Sequence, residues 1–376
     1  MSFPAATFPQ TAAALATAEA RGLHLGAQVC VSLRGSRVLD LAVGDDEPGR
    51  PLTRDAWMVW MSTTKPIAAV AMAQLWERDL CDLDDPITRH VPEFGVAGKE
   101  TITLRHALTH TGGFRMLDVG WPRLSWEETI TKICAARREP RWEPGEKAGY
   151  HQASSWFMLG EVVRRLSGEP FDEYVRRHLF EPLGMKDSWI GMPPEVYERE
   201  RGRLAATWDT SGETPRRMEL DSELHATRCS PASGGRGPMG DLVTFYEMLL
   251  GHGQRHGVRI LMPQTVEALA ARHRVGMYDY TFKHVMDWGL GFIPDSKQYG
   301  DAVPYAYGRH ASRHTFGHSG YRSSTAFADP KHNLALAIAF NGLPSDETHE
   351  VRMRAVVEAV YEDLGLVESP DETTVR

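Results

Sequence analysis

A serine and a lysine one helical turn apart raise the question of chemistry in this chain. They stand in "WMVWMSTTKPIAAVAMAQLW", residues 57–76, where Ser62, Thr63, Thr64 and Lys65 interrupt an otherwise apolar run. After Pro66 the chain reads Ile67, Ala68, Val70, Ala71, Met72, Leu75, the vocabulary of a buried helix. Side chains three apart on a helix share a face, so Ser62 and Lys65 meet. A serine hydroxyl must lose its proton as it attacks. A lysine desolvated by Val59, Met61 and the helix interior disfavours its ammonium form and can take that proton. Free N–H groups at the helix start would steady a developing oxyanion. An unpaired buried lysine is costly, and work on the serine accounts for its presence.

Taken alone, S-x-x-K is a weak signal, and its company strengthens it. "WEPGEKAGYHQASSWFMLG" places Tyr150 just before a predicted helix, and "FGHSGYRSSTAFADP" offers His318-Ser319-Gly320 near the C-terminus. S-x-x-K followed by a second polar motif and K-T-G marks penicillin-binding proteins and related β-lactamases. The order and spacing here resemble that superfamily, specifically its branch of class C β-lactamases, D-stereospecific peptidases and family VIII-type esterases. "LTHTGGF", "FEPLGM" and the ending "FGHSG…ADP…AIAFNG" extend the resemblance over roughly residues 10–365.

The resemblance implies that Ser62 is the acylated nucleophile, Lys65 its general-base partner, and Tyr150 the group that shuttles protons to the leaving group. His318, Ser319 and Gly320 would form an edge strand lining the site, with the backbone N–H groups of Ser62 and Tyr321 as the oxyanion hole. His151 and Gln152 would stand at substrate-binding positions. Two departures matter. The Tyr-x-Asn of β-lactamases is here Tyr150-His151-Gln152, and His318 replaces the lysine of K-T-G. A neutral imidazole anchors a substrate carboxylate less well than an ammonium, so both changes point away from carboxylate-bearing antibiotics.

The elements that must position these residues are legible in outline. A first short helix precedes "AQVCVSL" and "RVLDLAV", strand-like runs joined by "RGS" as a hairpin. "LRHALTHTGG", "WEETITKICAARR", "SWFMLGEVVRRLSG" and "FDEYVRRHLFEPLG" read as helices, three of them closed by glycine. "PASGGRGPMGDLVTFYEMLLG" reads as a loop entering a helix capped by Asp241, "LALAIAF" as a buried strand, and "HEVRMRAVVEAVYEDLGL" as a last helix. Strands cluster at both ends. The expected fold is α/β: one antiparallel sheet flanked by helices, β-lactamase/transpeptidase-like, with an inserted mainly helical lobe. The chain is expected to be a single catalytic unit, its α/β part at about 1–79 and 201–376 and its helical insert at about 80–200.

Composition excludes other classes. With 376 residues, 42% hydrophobic and 24% charged, the chain can build a large core. A net charge of −8 without basic clusters argues against nucleic acid or an anionic membrane as partner. The N-terminus lacks a signal-peptide pattern, and Cys30, Cys81, Cys134 and Cys229 are scattered, so a cytoplasmic protein with reduced thiols is expected. No cofactor is expected. His310, His314 and His318 tempt a metal assignment, but on a strand each step of four residues spans about 13 Å, too far to converge. His106 and His110 in "HALTH" read as helix packing or a local hydrogen bond, since H-E-x-x-H lacks its glutamate. Trp121 and Trp126 are the tryptophans expected to line an acyl pocket, with the loop from Met277 to Tyr307 as another wall.

The leading reading is a serine acyl-enzyme hydrolase acting on a small-molecule ester or small amide. Passing the acyl group to an amine or alcohol acceptor would make the same machinery an acyltransferase. β-Lactamase and D-amino peptidase activities rank below these. A catalytically silent binding domain is the reading from another class, and the intact Ser62, Lys65 and Tyr150 weigh against it.

Overall fold

The computed structural model describes residues 7–367. Its centre is a seven-stranded antiparallel sheet. In chain order the strands are β1 (Gly26–Leu33), β2 (Ser36–Glu47), β3 (Arg50–Pro51), β4 (Ile293–Pro294), β5 (Phe316–Gly320), β6 (Ser324–Asp329) and β7 (Leu334–Phe340). In space they run β4-β5-β6-β7-β1-β2-β3, so the N-terminal hairpin and "LALAIAF" share one sheet as expected. The register sets Ala27 opposite Phe340 and Leu33 opposite Leu334.

The flanking helices include α1 (Pro9–Ala20), α2 (Lys65–Trp76), α3 (Ser154–Ser167), α4 (Met239–Leu250) and α5 (Asp346–Asp363). Successive side chains on a strand point to opposite faces. In β7 that alternation sorts large from small. Leu334, Leu336, Ile338 and Phe340 pack with Leu15 of α1 and Met353, Val356 and Val360 of α5. Ala335, Ala337 and Ala339 turn to the other face, where methyl-sized side chains let α4 lie close against the sheet. The core on that face is continuous, reaching through Ile67, Val70 and Met72 of α2 to Trp156, Leu159 and Val163 of α3.

Several local expectations change. Asp241 does not cap α4: Pro238 holds that position, and the Asp241 carboxylate accepts from Ser188 Oγ at 2.8 Å. His310, His314 and His318 do not ride one strand, because β5 begins at Phe316 and the first two lie in turns. Between 80 and 200 the elements are helices and turns, with one two-residue strand, Trp189–Ile190. Cys30, Cys81 and Cys134 are buried and all four cysteines are free thiols. No helix among the described residues is long and apolar enough to cross a membrane.

Candidate active site

Ser62 sits in a single 3₁₀ turn, Met61–Thr64, that leads directly into α2. Met61 enters this turn at φ +52°, a backbone conformation that bulky side chains avoid. The flanking threonines hold the turn in place. Thr63 Oγ1 donates to Trp60 O and Thr64 Oγ1 to Met61 O, each at 2.6 Å. From β6, Ser324 Oγ donates to Trp60 O at 2.7 Å, and Gly235 N donates to Thr64 Oγ1 at 2.9 Å. Strain of about 1–3 kcal/mol at such a residue persists only where the surroundings over-determine it, as they do here.

Lys65 is fully buried, and its Nζ donates to Ser62 Oγ and to Ala232 O, both at 2.9 Å. Desolvation lowers its pKa well below 10.5, which favours the neutral amine. With a lone pair on Nζ, the Ser62 hydroxyl can donate in return. The rings of Tyr150 and Trp156 lie 5.1 and 5.7 Å from Nζ.

Tyr150 arrives from the loop before α3, and its hydroxyl donates to Ser62 Oγ at 2.9 Å. Burial raises the phenol pKa well above 10, so it remains protonated. Its ring is enclosed by Phe282 at 4.9 Å, His110 at 4.8 Å, Trp288 at 5.7 Å and His318 at 6.1 Å between centroids. Phe282 and Trp288 come from the 277–307 segment expected as a wall. An amine whose burial favours its neutral form and a protonated phenol thus converge on one oxygen. That is the arrangement needed to remove a proton and return it elsewhere.

β5 runs past the serine turn. β4 pairs only with Phe316 and Gly317, leaving His318–Gly320 on an open edge. Gly320 is required by the close approach: a Cβ there would lie 2.5 Å from Trp60 O and 2.8 Å from Met61 Cβ. His318 is buried, its Nδ1 donates to Ser319 O at 2.8 Å, and its Nε2 has no partner among the described residues. Burial, with the nearby Lys65, pushes its pKa down to about 3, so it carries no charge near neutrality. Ser319 Oγ pairs across the sheet with Thr325 Oγ1 at 3.0 Å. Tyr321, just past the strand, is half exposed with the Arg322 guanidinium over its ring.

The other expected site residues have the following surroundings. His151 is fully buried with both ring nitrogens committed to backbone: Nε2 accepts from Phe114 N at 3.1 Å, and Nδ1 donates to Gly149 O at 2.8 Å. It braces the loop and has nothing left for a substrate. Gln152 is exposed, one residue farther along. Trp126 is a core-edge residue, donating from Nε1 to Glu161 at 2.7 Å and stacking on Phe171. Trp121 donates to Arg228 O at 3.0 Å and packs on His225.

Three further residues surround Tyr150, of which only His110 stood out in the sequence. His110, expected as local packing, packs tilted against the Tyr150 ring and edge-on to Trp288, and accepts from His151 N at 3.0 Å. Arg274 and Asp279, both fully buried, pair at 2.9 Å behind Tyr150. Arg274 and Asp279 are only five residues apart, but the bond from Tyr150 N to Asp279 Oδ1 crosses 129 residues, which no spacing rule announces.

Known proteins share this sequence pattern and fold. A family model described as Beta-lactamase matches residues 12–361. Esterase EstB of Burkholderia gladioli is 27% identical over 308 residues, covering 72% of this chain and 74% of its own. Among solved structures, a penicillin-binding protein homologue from Caulobacter crescentus superposes with a TM-score of 0.80 at 26% identity, covering 96% of this chain and 99% of that one. A family VIII carboxylesterase gives 0.79 at 25% identity, over 96% and 98%. The chain belongs to the beta-lactamase family and is, at the level its relatives share, a serine hydrolase.

Proposed function

We propose that this protein is a serine esterase that works through an acyl-Ser62 intermediate on small, uncharged esters or small amides. One observation carries the reading: Lys65 Nζ and Tyr150 OH both lie 2.9 Å from Ser62 Oγ, the first pushed toward the neutral amine and the second held as a phenol. Lys65 accepts the Ser62 proton as Oγ bonds to the acyl carbon. The carbonyl oxygen takes the developing charge, received by the N–H groups of Ser62 and Tyr321. As the carbon–oxygen bond to the leaving group breaks, Tyr150 donates its proton to that oxygen and is reprotonated from Lys65. Water then attacks the acyl-enzyme, losing its proton along the same path in reverse. An alcohol or amine in place of water gives acyl transfer.

A neutral His318 on the edge strand, with an unpaired Nε2, suits an uncharged polar group better than a carboxylate. The similarity to EstB and to the family VIII carboxylesterase supports esters as substrates. Intact-protein mass spectrometry during turnover of a p-nitrophenyl ester tests the reading. The expected result is one acyl adduct on Ser62, absent in Ser62→Ala. Unchanged turnover by Ser62→Ala would overturn it. Added alcohol or amine distinguishes hydrolysis from transfer by the product formed.

A further inference from the structure

Tyr150 lies in a loop that has no regular structure, yet each peptide group around it is taken. Gly149 N donates to His110 O at 3.0 Å, Tyr150 N to Asp279 Oδ1 at 3.1 Å, and His151 N to His110 Nδ1 at 3.0 Å. On the carbonyl side, Ala148 O accepts from Tyr280 N at 2.9 Å and Tyr150 O from Thr281 Oγ1 at 3.1 Å. Three of these partners belong to the hairpin of Arg274–Asp279 and His284–Trp288, more than a hundred residues later.

Asp279 is the hub. Its Oδ1 also accepts from Thr281 N at 2.8 Å and Phe282 N at 3.0 Å, and Phe282 is the ring that lies on Tyr150. Its Oδ2 meets Arg274, whose guanidinium also donates to Thr109 O at 3.3 Å and sits 5.1 Å from the Trp288 ring. A buried ion pair is a poor source of stability, because apolar residues of the same volume often serve as well or better. What an apolar pair could not do is accept three backbone N–H groups at one point, fixing the Tyr150 main chain and the ring packed against it together.

We propose that Asp279, held by Arg274, is a positioning residue that sets the Tyr150 hydroxyl against Ser62 and thereby governs protonation of the leaving group. This rests on the Ser62–Lys65–Tyr150 relay proposed above. Misplacement of Tyr150 should matter for alkyl esters, whose leaving group needs a proton, and little for p-nitrophenyl esters, whose leaving group does not. A merely structural role would slow both alike.

The test compares kcat/KM for matched alkyl and p-nitrophenyl esters in Asp279→Asn, Thr281→Val and Tyr150→Phe. Asp279→Asn keeps the shape but loses the charge that Arg274 holds. It should lower the alkyl rate about 100-fold, the effect of displacing a catalytic group by about 1 Å, and the aryl rate by no more than about threefold. Thr281→Val removes one hydroxyl bond to Tyr150 O and should shift the alkyl-to-aryl ratio in the same direction by about fivefold. It decides the matter if Asp279→Asn does not fold. Equal loss on both esters in these variants, with Tyr150→Phe still discriminating, would overturn the positioning role while leaving the relay intact. Equal loss in Tyr150→Phe itself would overturn the relay, and the positioning role with it.

Discussion

Replacing Lys65 by methionine separates what the lysine costs the fold from what it does for the reaction. Lys65 is fully buried, meets only Ser62 Oγ and Ala232 O, and has burial as the one cause of its lowered pKa. Below 10.5 the unfolded chain holds a proton on this amine, whereas the fold, above its own lowered pKa, does not. The unfolded state then binds one more proton, so stability rises with pH through that window. For one proton the slope cannot exceed 2.303RT per pH unit, which sets a ceiling of about 3 kcal/mol between pH 7 and pH 9. Methionine keeps the apolar stem and has nothing to titrate. It leaves Ala232 O without its donor, at a cost of about 1–3 kcal/mol that is the same at both pH values. Urea unfolding of both proteins, followed by tryptophan fluorescence at pH 7 and pH 9, isolates the difference because all other titrating groups are shared. Relative to the parent, Lys65→Met should be more stable at pH 7 than at pH 9, by no more than the one-proton ceiling of about 3 kcal/mol, while forming no acyl-enzyme. A stability difference independent of pH would mean that the ammonium survives in the fold, and would refute Lys65 as the base.

Substrate charge gives a second test: with His318 uncharged near neutrality, neutral short-chain esters should outpace the carboxylate-bearing nitrocefin, and nitrocefin as the best substrate of a panel would contradict this. Gly320→Ala should cost about 1–3 kcal/mol of stability and most of the acylation rate, since the new Cβ would press on Trp60 O and Ser324 Oγ beside the nucleophile turn. Thermal melting and adduct formation read both effects, and an unimpaired variant would remove the reason given for that glycine. Asp295 is buried with Oδ2 unpartnered, and desolvation raises its pKa from 3.8 to about 6. Its folded form holds the proton more tightly than the unfolded one, so its contribution to stability is lost as pH rises through about 4 to 6. Asp295→Asn should therefore stabilise by up to about 3 kcal/mol at pH 7.5 and by much less at pH 4, measured as the shift in urea midpoint. An equal shift at both pH values would disprove the assignment.

How much was legible in the residues depended on the range of the interactions that set each feature. Ser62 and Lys65 are one turn apart, so helical geometry alone brings them together, and the apolar surroundings announce the buried amine. The sheet was legible in "LALAIAF" because strand alternation writes burial directly into the order of side chains, large on one face and alanine on the other. The motif at Tyr150 pointed to the right loop but gave no direction to its side chains. There Tyr150 turns to Ser62 while His151, its neighbour, turns into the scaffold, and no period governs an irregular loop. The indole N–H groups of Trp121 and Trp126 meet Arg228 O and Glu161, partners that no spacing in the sequence announces. The left-handed Met61, the close approach of Gly320 and the bond from Tyr150 N to Asp279 belong to tertiary structure alone. Each exists because segments far apart in the chain compete for the same space and the same backbone hydrogen bonds, and that competition is settled only when the chain has folded.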